Sequence, residues 1–463
     1  MTTTRVFGAE LVGVQGKLVP ILIFTPENGP ETQITGLSEN AAKELRIRLR
    51  SVLHCLEIDP GQRIGISVPA PTTEGSAHGL DLPILIGVLA HLGKIPNPTT
   101  SVGPALEQVV SFGGLGLSGN IQPVRGAFAR IHNVPLGPAI KALWIIPRGN
   151  AREAWSEVPT GARFLDVASV QDLVTALRRE VSETGEHGFA FPPPPPMATE
   201  DIDLAGPSAY ISPKTLRVLE IAAASRAGLL LGGRLAILCA RFVNRLLPNL
   251  SVPELVEVTA IHSAAMGVEA GAVPSRPFRA PHHSVSDLGL AGTVSARATR
   301  PGEVSLAHRG VLLLDQIDEF RRPALDMAFQ AMRDGEVRGY QVDAKLPAQP
   351  ALVVGTLEHE SASGHARPSA IHRIRRWQHH FPLYHVPVPG SCTVAEVAAA
   401  RVRIADVWRR HADRGPNPSP LTLVDTIAML DPSPGQPLSV YEEEARAILS
   451  ERPEALAVPL EDT

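Results

Sequence analysis

Cysteine is scarce in this chain. Three occur in 463 residues, at Cys55, Cys239 and Cys392, far apart and with no Cys-x-x-Cys pair. That spacing speaks against a disulfide framework and a zinc ribbon. No apolar run approaches the roughly 20 residues of a membrane-spanning helix. The opening MTTTRVFGAELVG lacks the apolar core of a signal peptide, so a cytoplasmic location is the expectation. Charge of one sign is missing too. Lys and Arg number 43 against 47 Asp and Glu, a net charge of −4, so any nucleic-acid surface must be local. What remains is an ordinary globular composition, 44% hydrophobic and 19% charged, long enough for two or three domains with sizeable cores.

Residues 1–178 read as one α/β domain. Strand-like runs occur at Ala9–Val14, Lys17–Phe24, Arg63–Val68 and Ala142–Ile146. Helical apolar spacing marks Glu39–Leu53, Asp81–Leu92 and Val170–Leu177. Residues 179–209 form a linker whose five successive prolines, Pro192–Pro196, predict an extended, stiff spacer. A second domain, residues 210–390, opens on Ser212-Pro213, a helix start with Ser as cap and Pro in the first turn. The short strand Gly228–Gly232 and the helix Leu235–Leu247 follow, and residues 391–463 close the chain with a helical segment and tail.

The most informative stretch is Arg276–Phe320. At its centre four aliphatics, Val311–Leu314, stop at Asp315 and are followed by Gln316, Asp318 and Glu319. An apolar run ending in a carboxylate predicts a buried parallel strand delivering an acid to the carboxyl edge of a sheet. PFRAPHHSVSD, then PGEVSLAHRGVLLLD and the trailing EF, resemble the magnesium-chelatase-like AAA+ family of the ComM and YifB type. In the first domain GVQGKLVPI, EGSAHGLDLPILIGVLA, GLGLSGNIQPVRGA and LWIIPRGNAREA also have counterparts there. The resemblance implies an amino-terminal domain of the ribosomal S5/Lon type. It further implies a P-loop NTPase-like, three-layer α/β AAA+ core with a shortened C-terminal helical lid.

The same resemblance implies ATP and Mg²⁺ as cofactors, with Asp315 as the Walker-B metal ligand. The residues around it depart from the pattern. Between strand and helix stand only Gly232, Gly233 and Arg234, a remnant of the phosphate loop without its Lys or Ser/Thr, and no Gly-x-x-x-x-Gly-Lys-Ser/Thr run occurs elsewhere. Gln316 replaces the family's Glu and cannot take a proton from water. Leu357 falls where the family has its polar sensor Asn, and the resemblance implies Arg373 as the arginine-finger counterpart. The Lon likeness raises a Ser–Lys peptidase. Ser76 is the one nucleophile available, but the RGAFAR segment offers Arg125 and Arg130 and no Lys, and an Arg cannot serve as base.

His282 and His283 with Asp287, or His372, His379, His380 and His385, are metal-ligand residue types. Structural roles are the plainer reading, since adjacent His on a strand face opposite sides. Arg373, Arg375 and Arg376 beside Trp377 form a basic stretch with an aromatic, a pattern that binds single strands through phosphate contacts and stacking, or else a solvated face or subunit contact. Three functions remain open at this point. One is a DNA-associated family member with weak or lost ATPase activity, acting in a ring of its own copies or with an intact paralogue. The others are an active ATP-driven DNA motor with an unusual phosphate site and a non-catalytic protein-binding scaffold.

Overall fold

A computed structural model describes residues 3–28, 30–69, 78–95, 109–132, 143–154, 163–182, 210–226, 228–232, 235–265, 273, 275–295, 299–339, 344–356, 383–385, 391–413 and 423–430. The first domain runs β1 (Thr3–Val12), β2 (Gln15–Phe24), β3 (Thr32–Thr35), α1 (Glu39–Cys55), β4 (Ile64–Ser67), α2 (Asp81–His91) and β5 (Val109–Ser111). It continues through the ribbon β6 (Gly114–Leu115) and β7 (Ile121–Gln122) to α3 (Ala127–His132), β8 (Leu143–Pro147), α4 (Ala151–Ala154), β9 (Arg163–Val167) and α5 (Val170–Ser182). Seven strands make one mixed sheet in the order β3-β4-β2-β1-β5-β8-β9.

Local chemistry explains the main elements. Ser38 accepts the N–H of Ala41 and caps α1, whose Leu45, Leu49 and Val52 form the buried stripe anticipated from their spacing. The helix α2 is buried at every position from Asp81 to Ala90, as a helix apolar all round must be. β1 begins six residues before the expected Ala9, because its alternating Arg5, Val6, Phe7 pairs against β2 from Thr3↔Phe24 to Val12↔Gln15. β3, β5 and α3 were not anticipated. They are short, and their apolar content is too small for a periodic signal.

The second domain runs α6 (Pro213–Ser225), β10 (Leu229–Gly232), α7 (Ala236–Leu246), α8 (Val252–Ala265), β11 (Phe278–Arg279), α9 (Asp287–Ala291), β12 (Gly292–Val294), β13 (Thr299–Pro301) and α10 (Glu303–Leu306). Then come β14 (Val311–Leu314), α11 (Arg322–Asp334), β15 (Glu336–Arg338), β16 (Lys345–Pro347), β17 (Leu352–Thr356), β18 (Leu383–His385), α12 (Val394–Ala412) and α13 (Leu423–Leu430). Its sheet, β11-β14-β17-β10-β18, is parallel throughout. Leu229, Leu231, Leu313 and Val354 pack against α6, α7 and α12 on one face. Leu230, Leu312 and Leu314 pack with α10 and α11 on the other. Both faces are covered, which is why the strands read as unbroken apolar runs.

The two domains meet on α8. Phe128 and Ala129 of α3 pack against Val256 and Ala260, while Val14 joins Ile261, Ala264, Val294, Ala344 and Leu346. The β1–β2 hairpin tip touches the second domain so closely that a Cβ on Gly13 (φ +67°) would stand 2.5 Å from Lys345 O. Across the seam, Ser263 of α8 donates to the buried carboxylate of Glu153 and accepts the N–H of Ala129 at 3.3 Å. Whatever path residues 183–209 take, the two domains are docked directly.

Candidate functional site

The carboxyl ends of β10, β14 and β17 lie side by side. Leu231 is in register with Thr356, and Leu314 with Gly355, so Thr356 stands between Gly232 and Asp315. The sheet order reverses beside β10, and open α/β sheets place their ligand crevice at such a point. Asp315 is half-buried, as expected of a strand-end acid.

Thr356 is 1% exposed and spans the site. Its hydroxyl donates to Asp315 Oδ1 at 2.5 Å and accepts the Gln316 N–H at 3.0 Å. Gln316 itself adopts a left-handed conformation, φ 53°, which turns the chain sharply off β14. No local pattern marks Thr356, and Leu357, one residue on at the expected sensor position, lies outside the described residues.

On the phosphate side, β10 ends at Gly232, and Leu235, the N-cap residue before α7, offers no side-chain cap. The first turn of α7 reads Ala236, Ile237, Leu238, with no hydroxyl and no Lys. Gly233 and Arg234 lie outside the described residues, as do Arg373, Arg375, Arg376, Trp377, Ser76, His372, His379 and His380.

The segment that carries the family resemblance is held by its own ion pairs. Arg279 grips Glu303 in a two-bonded fork, 2.7 Å from Nε and 2.8 Å from Nη2. His262 Nε2 bonds Leu306 O at 3.0 Å. His308 accepts the Gln349 N–H on Nδ1 at 3.1 Å and therefore presents a proton on Nε2 to Glu257, 3.1 Å away. That bond, with Arg309 Nε at 2.9 Å, holds the Glu257 carboxyl down at about 2.

The His282 and His283 rings lie 4.0 Å apart, tilted by 38°, His283 meets the Phe320 ring edge-on, and Asp287 pairs with Arg321 at 3.1 Å. Among the described residues no three His, Cys, Asp or Glu converge on a metal position.

A second cluster ties α12 to the core. The guanidinium carbons of Arg226 and Arg276 stand over the Trp408 ring, 4.1 Å and 4.9 Å from its centroid. Its Nε1–H donates to Ala223 O and Ala224 O at the end of α6. Arg276, 7% exposed, donates to Pro248 O, to Arg309 O, to Asn249 O at 3.2 Å and to Glu254 at 2.9 Å. Burial pulls the Arg226 guanidinium down to about 10.

In the first domain Arg130 is buried, donating to Ala9 O at 2.6 Å and Arg125 O at 3.2 Å and lying over Phe112. Its fork closes on backbone carbonyls, a structural role. Among the described residues no helix is long and apolar enough to cross a membrane.

Comparison with known proteins follows the same division. The family described as magnesium chelatase, subunit ChlI, matches residues 211–376, and the family of subunit ChlI of Mg-chelatase matches residues 24–149. The chain is 32% identical over 365 residues to an uncharacterized protein of Mycobacterium tuberculosis, covering 76% of this chain and 69% of that one. It is 29% identical over 377 residues to competence protein ComM of Haemophilus influenzae, covering 79% and 70%. An uncharacterized YifB protein of Salmonella typhimurium is 31% identical over 367 residues, covering 76% and 67%.

Proposed function

The chain belongs to the magnesium-chelatase ChlI family, and from that membership we propose that it is a DNA-associated, ComM/YifB-like protein whose own ATP binding and hydrolysis are weak or lost. It works in a ring, either of its own copies or with a paralogue that keeps an intact phosphate loop. The family generally implies ATP and Mg²⁺. The observation that carries the reading is the short junction after Gly232, with three residues, Gly233, Arg234 and the N-cap Leu235, between the strand end and the first helical residue, Ala236.

A triphosphate needs a loop long enough to turn several backbone N–H groups toward it, a Lys, and a hydroxyl for the metal. Three residues supply too few donors. Among the described residues, the hydroxyl bonded to Asp315 is that of Thr356, which also accepts the Gln316 N–H. The residues present do not fit a magnesium triphosphate held in the P-loop manner, and no catalytic step is derived through it. Gln316 lacks the carboxylate that would accept a proton from attacking water.

DNA association is supported by the competence role in the name of the Haemophilus relative and by the run Arg373, Arg375, Arg376, Trp377. On this reading the amino-terminal domain is S5/Lon-like and residues 391–463 are a shortened lid with a tail. Isothermal titration of the pure chain with ATP and Mg²⁺ tests the nucleotide part, with no saturable heat expected. Saturable binding of ATP would favour an active motor instead. The DNA part is tested by salt-dependent affinity for single strands and forks. Replacing Arg373, Arg375 and Arg376 by Ala weakens binding and flattens the salt slope. Affinity untouched by these changes would remove the basic segment from the account, and no DNA binding at all would favour the protein scaffold.

A further inference from the structure

We propose that the outer edge of β3 docks an extended segment of a partner protein, which adds a strand to the amino-terminal sheet and lowers an apolar side chain into the cavity beneath α1. The sheet order leaves β3 at one end. Its parallel pairing sends the carbonyls of Glu31 and Thr35 toward β4, onto the N–H groups of Ile64 and Val68. In such a ladder alternate residues turn the other way, so Thr32 and Ile34 direct their N–H and C=O groups outward. Among the described residues no strand pairs with that side, and one outward group, Thr32 O, accepts Arg46 Nε at 3.2 Å.

Beside this edge lies a cavity of about 590 Å³. It is lined by the buried Leu49, Leu53, Ile64 and Ile66 and by the exposed Arg46 and Arg50. Ile47, on the same helix, is 54% exposed. An open edge recruits strands, and a pocket beside it reads alternate side chains of the guest. A guest strand along Thr32 and Ile34 would turn every second side chain toward α1, covering Ile47 and filling the cavity.

Charge selects the occupant. Arg50 is exposed and lines the cavity with Arg46 and His54 along α1, and Glu31, Glu57 and Asp59 from outside that helix line it too. The segment that fits carries an apolar anchor with an acidic residue on the α1 side. A second copy of this chain fits poorly, since pairing β3 with β3 across a twofold axis would set both Arg46–Arg50 rows against each other.

The test is selection from a random displayed peptide library of ~9-residue inserts on the full-length protein, followed by fluorescence anisotropy of the enriched peptides. The expected result is enrichment of alternating apolar and polar sequences with an acidic residue. Ile47→Asp and Arg50→Glu should each weaken their binding about tenfold or more. Both positions are exposed, so the fold is preserved. Ile34→Pro, checked for folding by circular dichroism, removes an outward N–H and should do the same. The proposal is overturned if no peptide is enriched, if enriched peptides bind Ile47→Asp as well as the parent, or if sedimentation shows a dimer that Ile47→Asp abolishes.

Discussion

Thr356 donates its hydroxyl to Asp315 Oδ1 at 2.5 Å and accepts the Gln316 N–H at 3.0 Å, so one side chain fixes both the carboxylate and the turn that follows it. Thr356→Val removes both bonds at a position that is 1% exposed. The expected loss is about 1–3 kcal/mol, because the Gln316 N–H is left unsatisfied. Thr356→Ser keeps the hydroxyl and should lose less. Urea unfolding of the two variants checks the order.

Glu153 is buried at the domain seam, where burial raises its carboxyl to about 7 despite hydrogen bonds from Ser263, Phe128 and Asn150. The folded chain therefore holds this proton more tightly than the unfolded chain, whose carboxyl titrates near 4.5. Stability falls as pH rises from about 4.5 to about 7 and is level above that, a loss of at most about 3 kcal/mol. Arg130, buried nearby, is pulled down by burial only to about 10 and keeps its charge throughout this window. Glu153→Gln keeps an acceptor for Ser263 and removes the slope. Unfolding midpoints at pH 5 and pH 8 should differ less for the variant than for the parent.

Trp408 holds α12 to the core through two guanidinium faces and two carbonyls. Trp408→Phe retains a ring for Arg226 and Arg276 but loses the Nε1–H bonds, an expected cost of about 1 kcal/mol. Trp408→Ala loses the packing as well and should cost about 3 kcal/mol. Hydrogen exchange of the α12 amides should rise in the same order.

Arg276 satisfies three carbonyls and Glu254 from one guanidinium. A Lys has a point charge and no planar fork, so Arg276→Lys leaves buried acceptors open and should cost about 2–3 kcal/mol. Thermal unfolding measures it. Equal stability of the Lys variant would show that the fork geometry is irrelevant.

Much of this arrangement was legible in the residues. Four aliphatics before Asp315 mark β14, Ser212-Pro213 marks α6 with Ser212 accepting the Thr215 N–H, and the stripe of Leu45, Leu49 and Val52 marks α1. These signals are local, with periods of two or 3.6 residues or a cap three residues from its donor. What was not legible joins positions far apart. Glu153 and Ser263 are 110 residues distant, and Thr356 and Asp315 are 41. Trp408 reaches Ala223 across 185. No periodicity connects such pairs, and only the fold brings them together. Arg276, Arg279 and Glu303 stood out as parts of a motif, yet their role in bonding the core was visible only in the geometry.

Whether this chain turns over nucleotide decides between a motor and a protein that has lost its ATPase activity. The direct measurement is steady-state ATP hydrolysis by the pure full-length protein with Mg²⁺, alone and with DNA, beside its Asp315→Ala variant. The account predicts phosphate release at the background rate for both. Turnover by the parent that vanishes in Asp315→Ala would contradict it, and would make the short Gly232–Leu235 junction part of a working phosphate site.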